Sequence, residues 1–141
     1  MTDESCEFCR LARKEDDASI IFEDEKAMAF LDIRPVNDGH TLVIPKAHYE
    51  NIYEIPEDEI AHVYKIVKRV ASAVKKSVDA EGISITQHNG SAALQRIFHL
   101  HVHVIPRYEE QRFPSPDELS EAKREKLEEV ARKIRKNLAN S

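Results

Sequence analysis

Between Phe98 and Ile105 the chain alternates apolar side chains with histidines, and no other stretch constrains its fold so tightly. Successive side chains of a strand point to opposite faces. The alternation therefore predicts a strand over Phe98–Ile105. Phe98, Leu100, Val102 and Val104 make its core face, and His99, His101 and His103 line the other. Same-face neighbours on such a strand lie about 7 Å apart. A half-apolar strand needs partner strands and an apolar layer behind it. Ser19–Phe22, Ala27–Ile33, Thr41–Ile44 and Ile83–Thr86 read as those partners from their apolar and β-branched content. Pro35-Val36-Asn37-Asp38-Gly39 reads as a turn, and Pro45 as the stop of the third strand. Pro56 opens a helix that ends before Gly82, with acids in its first turn. Ile60, Tyr64, Val67, Ala71, Val74 and Val78 recur along it at helical spacing. Ser115-Pro116-Asp117-Glu118 has the form of a capping box and predicts a C-terminal helix over residues 116–139. Leu119, Leu127, Val130, Ile134 and Leu138 would face inward. The sum is an α+β fold, a five-stranded and mainly antiparallel sheet with two main helices.

The 141 residues carry no repeat and no linker, so they are expected to form a single domain over 1–141, with residues 1–18 as a lead-in. No run of about 18 apolar residues is present, which argues against a membrane span. The start Met1-Thr2-Asp3-Glu4-Ser5 is acidic rather than a secretory leader, so a soluble, cytoplasmic protein is expected. The net charge of −5, with no basic stripe, argues against a nucleic-acid partner. Small phosphorylated ligands need only local donors and stay possible.

Three same-face imidazoles leave two chemical readings open. They are metal ligands, or one is a nucleophile while the others bind phosphate and manage protons. A single catalytic ion held by all three is disfavoured, because the outer pair of a straight strand lies about 13–14 Å apart. Cys6 and Cys9, spaced C-x-x-C, suggest metal or redox chemistry in a reducing compartment. No strand–helix unit frames them, which disfavours a thioredoxin-like role.

The run His99-Leu100-His101-Val102-His103-Val104-Ile105 resembles the signature of the histidine triad (HIT) family, His-φ-His-φ-His-φ-φ with φ apolar. The upstream stretch Asp32 to His48 resembles that family's strand–turn–strand, and the likeness runs from about Cys6 to Arg107. The resemblance implies a HIT-like fold, a homodimer and a purine nucleotide of AMP type as ligand. It also implies cleavage at the α-phosphate, with His101 forming a nucleotidyl-histidine intermediate. A partner on the other ring nitrogen would fix the tautomer, and a backbone carbonyl is expected there. By the same resemblance His103 assists phosphate and leaving group, and His99 and His40 support the triad. Asp32 would hold the ribose hydroxyls, with Ile33 beside it and Asn89, Gln95 and Arg96 in the phosphate loop. His40 reads equally well as a histidine satisfied in its turn.

Three departures stand in that loop. Leu94 replaces a usual glycine, His88 replaces an Asn or Gln, and Arg96 replaces a Ser or Thr. Arg96 either supplies a charged donor or points away. Cys6-Glu7-Phe8-Cys9 is typical of one branch of the family. The matching ligands of one structural zinc per chain are Cys6, Cys9, His48 and His99, a closed tetrahedral set. Substrates would be nucleoside phosphoramidates or dinucleoside polyphosphates, and the competing reading is a non-catalytic nucleotide-binding module. Among other residues, His62 reads as surface, Tyr49 and Tyr53 as packing. Ile20, Phe22 and Phe30 read as core or purine wall.

Overall fold

The computed structural model describes residues 4–140. The acidic start Met1-Thr2-Asp3 and the final Ser141 lie outside the described residues. Five strands form one antiparallel sheet in the order β1-β2-β3-β5-β4: β1 Ile20–Glu23, β2 Ala27–Leu31, β3 Thr41–Pro45, β4 Gly82–Thr86 and β5 Val102–Arg107. The three helices are α1 Glu7–Ala12, α2 Glu57–Ser77 and α3 Arg124–Ala139. None of these helices is long and apolar enough to cross a membrane.

The period of two in the central strands sorts their side chains into two layers. Ala27, Ala29, Leu31, Val43, Val102 and Val104 face α2 and α3 in the main core. Met28, Phe30, Leu42 and Ile44 face the other way and pack with Phe8 and Leu11 of α1. Both faces of β2 and β3 are therefore covered, and every residue of the two strands is buried. The turn between them closes on Gly39 at φ +98°. A Cβ there would meet Val74 Cγ1 at 3.3 Å, so glycine meets both the dihedral and the close approach of α2.

Several sequence expectations shift. The strand predicted over Phe98–Ile105 starts only at Val102. Its ladder to β3 ends at the pair Val43–Val102. Before that point the backbone makes other bonds. Leu100 N–H donates to the Tyr49 carbonyl at 2.7 Å, and the His99 carbonyl accepts from the His101 ring at 2.8 Å. The alternation survives from Leu100 onward, but Phe98 is exposed rather than core. The C-terminal helix starts at Arg124, not at residue 116. The Ser115 capping box forms, yet it closes only a 3₁₀ turn at Pro116–Glu118, after which Leu119 turns extended. A long-range bond from Ala122 N–H to the Ile33 carbonyl at 2.8 Å then draws the chain across the end of β2. Leu119 accordingly lies off the helix, while Leu127, Val130 and Ile134 are buried on it and Leu138 packs partly.

On α2 the buried stripe is Val63, Ile66, Val67, Val70, Ala73 and Val74. Ile60, Ala71 and Val78 flank it, and Tyr64 turns to solvent. Tyr49 packs on the core and donates to Glu59 at 2.6 Å, but Tyr53 is exposed. His62 sits at the surface and meets Asp24 at 2.7 Å.

Candidate functional site

The histidines act through nitrogens whose protonation is fixed by their partners. His101 Nδ1 lies 2.8 Å from the His99 carbonyl, the kind of partner expected from the sequence. A carbonyl only accepts, so Nδ1 carries the proton and Nε2 keeps its lone pair. His99 Nε2 lies 2.8 Å from the Pro45 carbonyl, so its Nδ1 is the basic nitrogen. His40 works in the opposite sense. Val36 N–H donates to His40 Nδ1 at 3.0 Å, which places the proton on Nε2. That Nε2–H donates to His103 Nδ1 at 3.0 Å, so neutral His103 carries its proton on Nε2. Three backbone groups, at Val36, Pro45 and His99, thus set four tautomers.

Burial keeps these rings neutral. It pushes His103 down to about 3 and His40 and His99 to about 4, and lowers His101 in spite of its carbonyl bond and the nearby Asp32. A neutral imidazole with a free Nε2 is a nucleophile at neutral pH. His101 and His103 ring centroids are 5.1 Å apart, and His88 stands 6.1 Å from His103. In the sheet His103 pairs with Leu42 on β3 and with Thr86 on β4, so strand register fixes its depth.

A cleft of about 700 Å³ opens in front of His101 and His103. Its apolar wall includes Phe8, Phe30, Ile33 and Leu42, and Asp32, Arg34, Arg96 and Arg124 bring charge to it. Asp32 Oδ1 accepts from Arg34 N–H at 2.9 Å, and burial raises its carboxyl. Arg96 lines the cleft with no hydrogen-bond or ion-pair partner among the described residues. Of the residues expected from the sequence, Asp32, Ile33, Arg96, His101 and His103 meet here. His40 is buried behind His103 and bonds both to it and to Val36 N–H within its own turn.

Asn89 and Gln95, expected in the phosphate loop, are not among the residues that line the cleft, and their side chains bond within the loop and its neighbours. Asn89 Oδ1 accepts from Ile52 N–H at 2.8 Å, and its amide also pairs with Gln87. Gln95 accepts from Gly90 N–H at 2.7 Å and donates to the Glu50 and Ile97 carbonyls. Both hold the loop in shape, because loop backbone groups drawn inward need partners. Leu94 closes that loop at φ +73°, the left-handed region in which its Cβ is strained.

Phe30 lines the cleft as one of the two readings held. Ile20 packs against the smaller core and Phe22 against the main one. Phe8 was missed as a cleft residue. Its position between the two cysteines is the signal the sequence carries, and the docking of α1 beside the triad gives that position its meaning.

The second cluster joins residues far apart in sequence. Cys6 Sγ lies 3.3 Å and Cys9 Sγ 3.5 Å from His99 Nδ1, and Cys9 Sγ lies 3.3 Å from His48 Nδ1. With Zn–S of about 2.3 Å and Zn–N of about 2.0–2.1 Å, a tetrahedral edge between sulfur and nitrogen is about 3.6 Å. The observed edges fit that value. All four ligand atoms fall within 4.8 Å of one another. The Pro45 carbonyl orients the His99 ring from behind, as backbone carbonyls do at metal-bound imidazoles. Asp32, His40 and His103 also cluster. A metal on His40 Nε2 would force the proton to Nδ1, opposite the Val36 N–H, and two donors would then face each other. That cluster is built to carry hydrogen bonds.

Comparison with known proteins fits this geometry. Residues 13–110 match the HIT domain. An uncharacterized HIT-like protein of Methanocaldococcus jannaschii is 46% identical over 104 residues, 74% of this chain and 80% of that protein. Adenylylsulfatase HINT3 of Arabidopsis thaliana is 36% identical over 104 residues, which span 74% of this chain and 53% of the plant protein. Among solved structures, a Zn-bound histidine triad family protein from Mycobacterium smegmatis superposes with a TM-score of 0.85 at 36% identity, covering 96% of this chain and 94% of that one.

Proposed function

The chain belongs to the HIT domain family, and from its site we propose a nucleotide hydrolase or transferase that works through His101. One observation carries the reading. The His99 carbonyl holds His101 Nδ1–H, leaving the Nε2 lone pair at a cleft where His103 presents a proton on its own Nε2. The ligand is a purine nucleotide of AMP type, its ribose on Asp32 and its base against the apolar wall. Nε2 attacks the α-phosphorus, and the bond to the leaving group breaks with its electron pair on the departing atom. His103 Nε2–H hydrogen-bonds that atom or the phosphoryl oxygen as charge develops. Water then attacks phosphorus, the N–P electron pair returns to Nε2, AMP leaves, and the proton water gives up is matched by the one the departed group takes from solvent. The net reaction joins one water to the substrate and gives AMP and the protonated leaving group. Candidate substrates are nucleoside phosphoramidates and dinucleoside polyphosphates. Arg96, without a partner among the described residues, suits a leaving group with negative charge.

Cys6, Cys9, His48 and His99 would hold one zinc per chain. A closed shell of four protein ligands makes its role structural, adding folding free energy and no open position for substrate. A homodimer is the proposed assembly. The free edge of β4 with exposed Ile85 supports it, as do exposed Ile52, Tyr53, Leu94 and Phe98 in the segments tied together beside it. Residues 1–141 would act as one domain, and reduced thiol ligands suit the cytoplasm.

A binding module without turnover is the second reading, favoured by the strained Leu94 in the loop. The test is AMP release from adenosine 5′-phosphoramidate by wild type and His101→Ala, followed by chromatography. Release by wild type with none by the variant, while AMP still binds both, supports the hydrolase. No release by wild type from this substrate or from a dinucleoside polyphosphate transfers the assignment to the binding module.

A further inference from the structure

Helix α1 has six residues, and three of them are buried: Phe8, Cys9 and Leu11. A helix this short does not hold itself together in water, so its place depends on what clamps it. Cys6 and Cys9 reach His99 Nδ1 at 3.3 and 3.5 Å. Phe8 sits between them in sequence, and its ring centroid lies 5.2 Å from that of His101, edge to face at 82°. Phe8 also edges onto His99 at 6.0 Å and onto Phe30 at 5.5 Å. The opposite constraint on His101 is the His99 carbonyl at 2.8 Å. The ring proposed as nucleophile is thus fixed by two groups, and both lead back to the cysteine–histidine cluster. One passes through the backbone of His99, whose ring is a ligand. The other passes through Phe8, whose flanking cysteines are ligands.

We infer that Phe8 is a positioning residue that carries metal occupancy of the Cys6–Cys9–His48–His99 cluster to the His101 ring. The inference rests on the reading of that cluster as a zinc site and of His101 as the nucleophile. Edge-to-face aromatic pairs at this separation are attractive and directional. The imidazole cannot swing off the His99 carbonyl on this side without displacing Phe8. Phe8 in turn cannot leave while both neighbouring cysteines are ligands. Loss of the metal leaves Phe8 held by its apolar cluster alone, loosens its edge on the His101 ring and lets that ring exchange tautomers. The metal centre then sets the readiness of the nucleophile without touching substrate.

The experiment uses full-length protein with ¹⁵N-labelled histidine, read by NMR at one fixed pH. Zinc-loaded wild type should show His101 as a single Nδ1–H tautomer. Zinc-loaded Phe8→Ala should keep one equivalent of zinc and an unchanged His99 signal. Its His101 should become a mixture of tautomers, and its nucleotidyl adduct, read by intact mass, should form roughly tenfold more slowly. Phe8→Leu, which keeps bulk without a ring edge, should restore only part of both. Wild type stripped of zinc should reproduce the His101 spectrum of Phe8→Ala. An unchanged His101 tautomer in zinc-loaded Phe8→Ala, or in metal-free wild type, overturns the inference. So does a wild-type protein that takes up no zinc. If His101 responds as described while no adduct forms in any variant, the positioning role stands and the nucleophile reading fails.

Discussion

Replacing His40 by asparagine and by glutamine separates the two bonds this ring makes. His40 is 3% exposed, and its nitrogens do opposite work. Nδ1 accepts from Val36 N–H and Nε2 donates to His103 Nδ1, each at 3.0 Å. An asparagine amide reaches about as far as Nδ1, and a glutamine amide about as far as Nε2. His40→Asn keeps the acceptor for Val36 and leaves His103 Nδ1 without a donor. His40→Gln does the reverse. Each variant strands one buried polar group, at about 1–3 kcal/mol. For a chain of this length that lowers Tm by roughly 3–10 °C. The two variants should therefore melt alike and turn over differently. Without the His40 donor, His103 can carry its proton on either nitrogen, and the Nε2–H at the cleft is no longer enforced. A positioned hydrogen-bond donor at developing charge is worth about 10²–10³ in rate, so partial loss in His40→Asn should cost roughly ten- to a hundredfold. His40→Gln, which keeps the donor, should stay within about threefold of wild type. The assay is single-turnover AMP release from adenosine 5′-phosphoramidate, with Tm by calorimetry on the same samples. Equal rates in two equally stable variants would refute the chain of tautomers that runs from Val36 to His103.

Other perturbations test other parts of the site. Cys6→Ser should lower zinc content well below one equivalent and reduce Tm by several degrees; full metal content by mass spectrometry would remove Cys6 from the ligand set. Asp32→Ala should weaken binding of AMP by roughly tenfold, the scale of one or two hydrogen bonds to a charged acceptor, and change 2′-deoxy-AMP much less. Equal loss for both nucleotides, by calorimetry, would reject the ribose role. Arg96→Ser should lower kcat/KM for a dinucleoside polyphosphate by about tenfold while leaving the phosphoramidate nearly unchanged, because only the first departs as a polyanion. Parallel loss on both substrates would mean that Arg96 holds the shared nucleotide.

The strand order could not be read along the chain, but the faces could. Val102 and Val104 alternate with His103 because the strand period is two, and that period is written in the residue types. Apolar and β-branched content marks β2 and β3 as strands, and only the structure shows that both their faces are covered. Sequence pattern failed at the ends of elements, where distant partners decide. His99–His101 leave the sheet because Tyr49 and the His101 ring take the backbone groups that a ladder would use. The start of α3 moves to Arg124 because Ile33, nearly ninety residues earlier, binds Ala122 N–H. The sequence likewise does not show that Asn89 Oδ1 and Gln95 Oε1 accept from the backbone N–H groups of Ile52 and Gly90, because Ile52 lies far off along the chain.

The sequence by itself determined which atoms are available: three imidazoles and a carboxylate for the proposed nucleotide, and two thiols and two imidazoles for the proposed metal. Residue types and short spacings fix chemistry, because nucleophiles and ligands are properties of side chains. Only the tertiary structure decided which nitrogen of each ring is free. That choice is made by single backbone groups at Val36, Pro45 and His99, and their identity as donors or acceptors says nothing until folding sets them about 3 Å away. It also decided that Phe8 belongs to the site at all. A side chain's neighbours across the sheet depend on how the layers pack, and packing is a property of the whole chain.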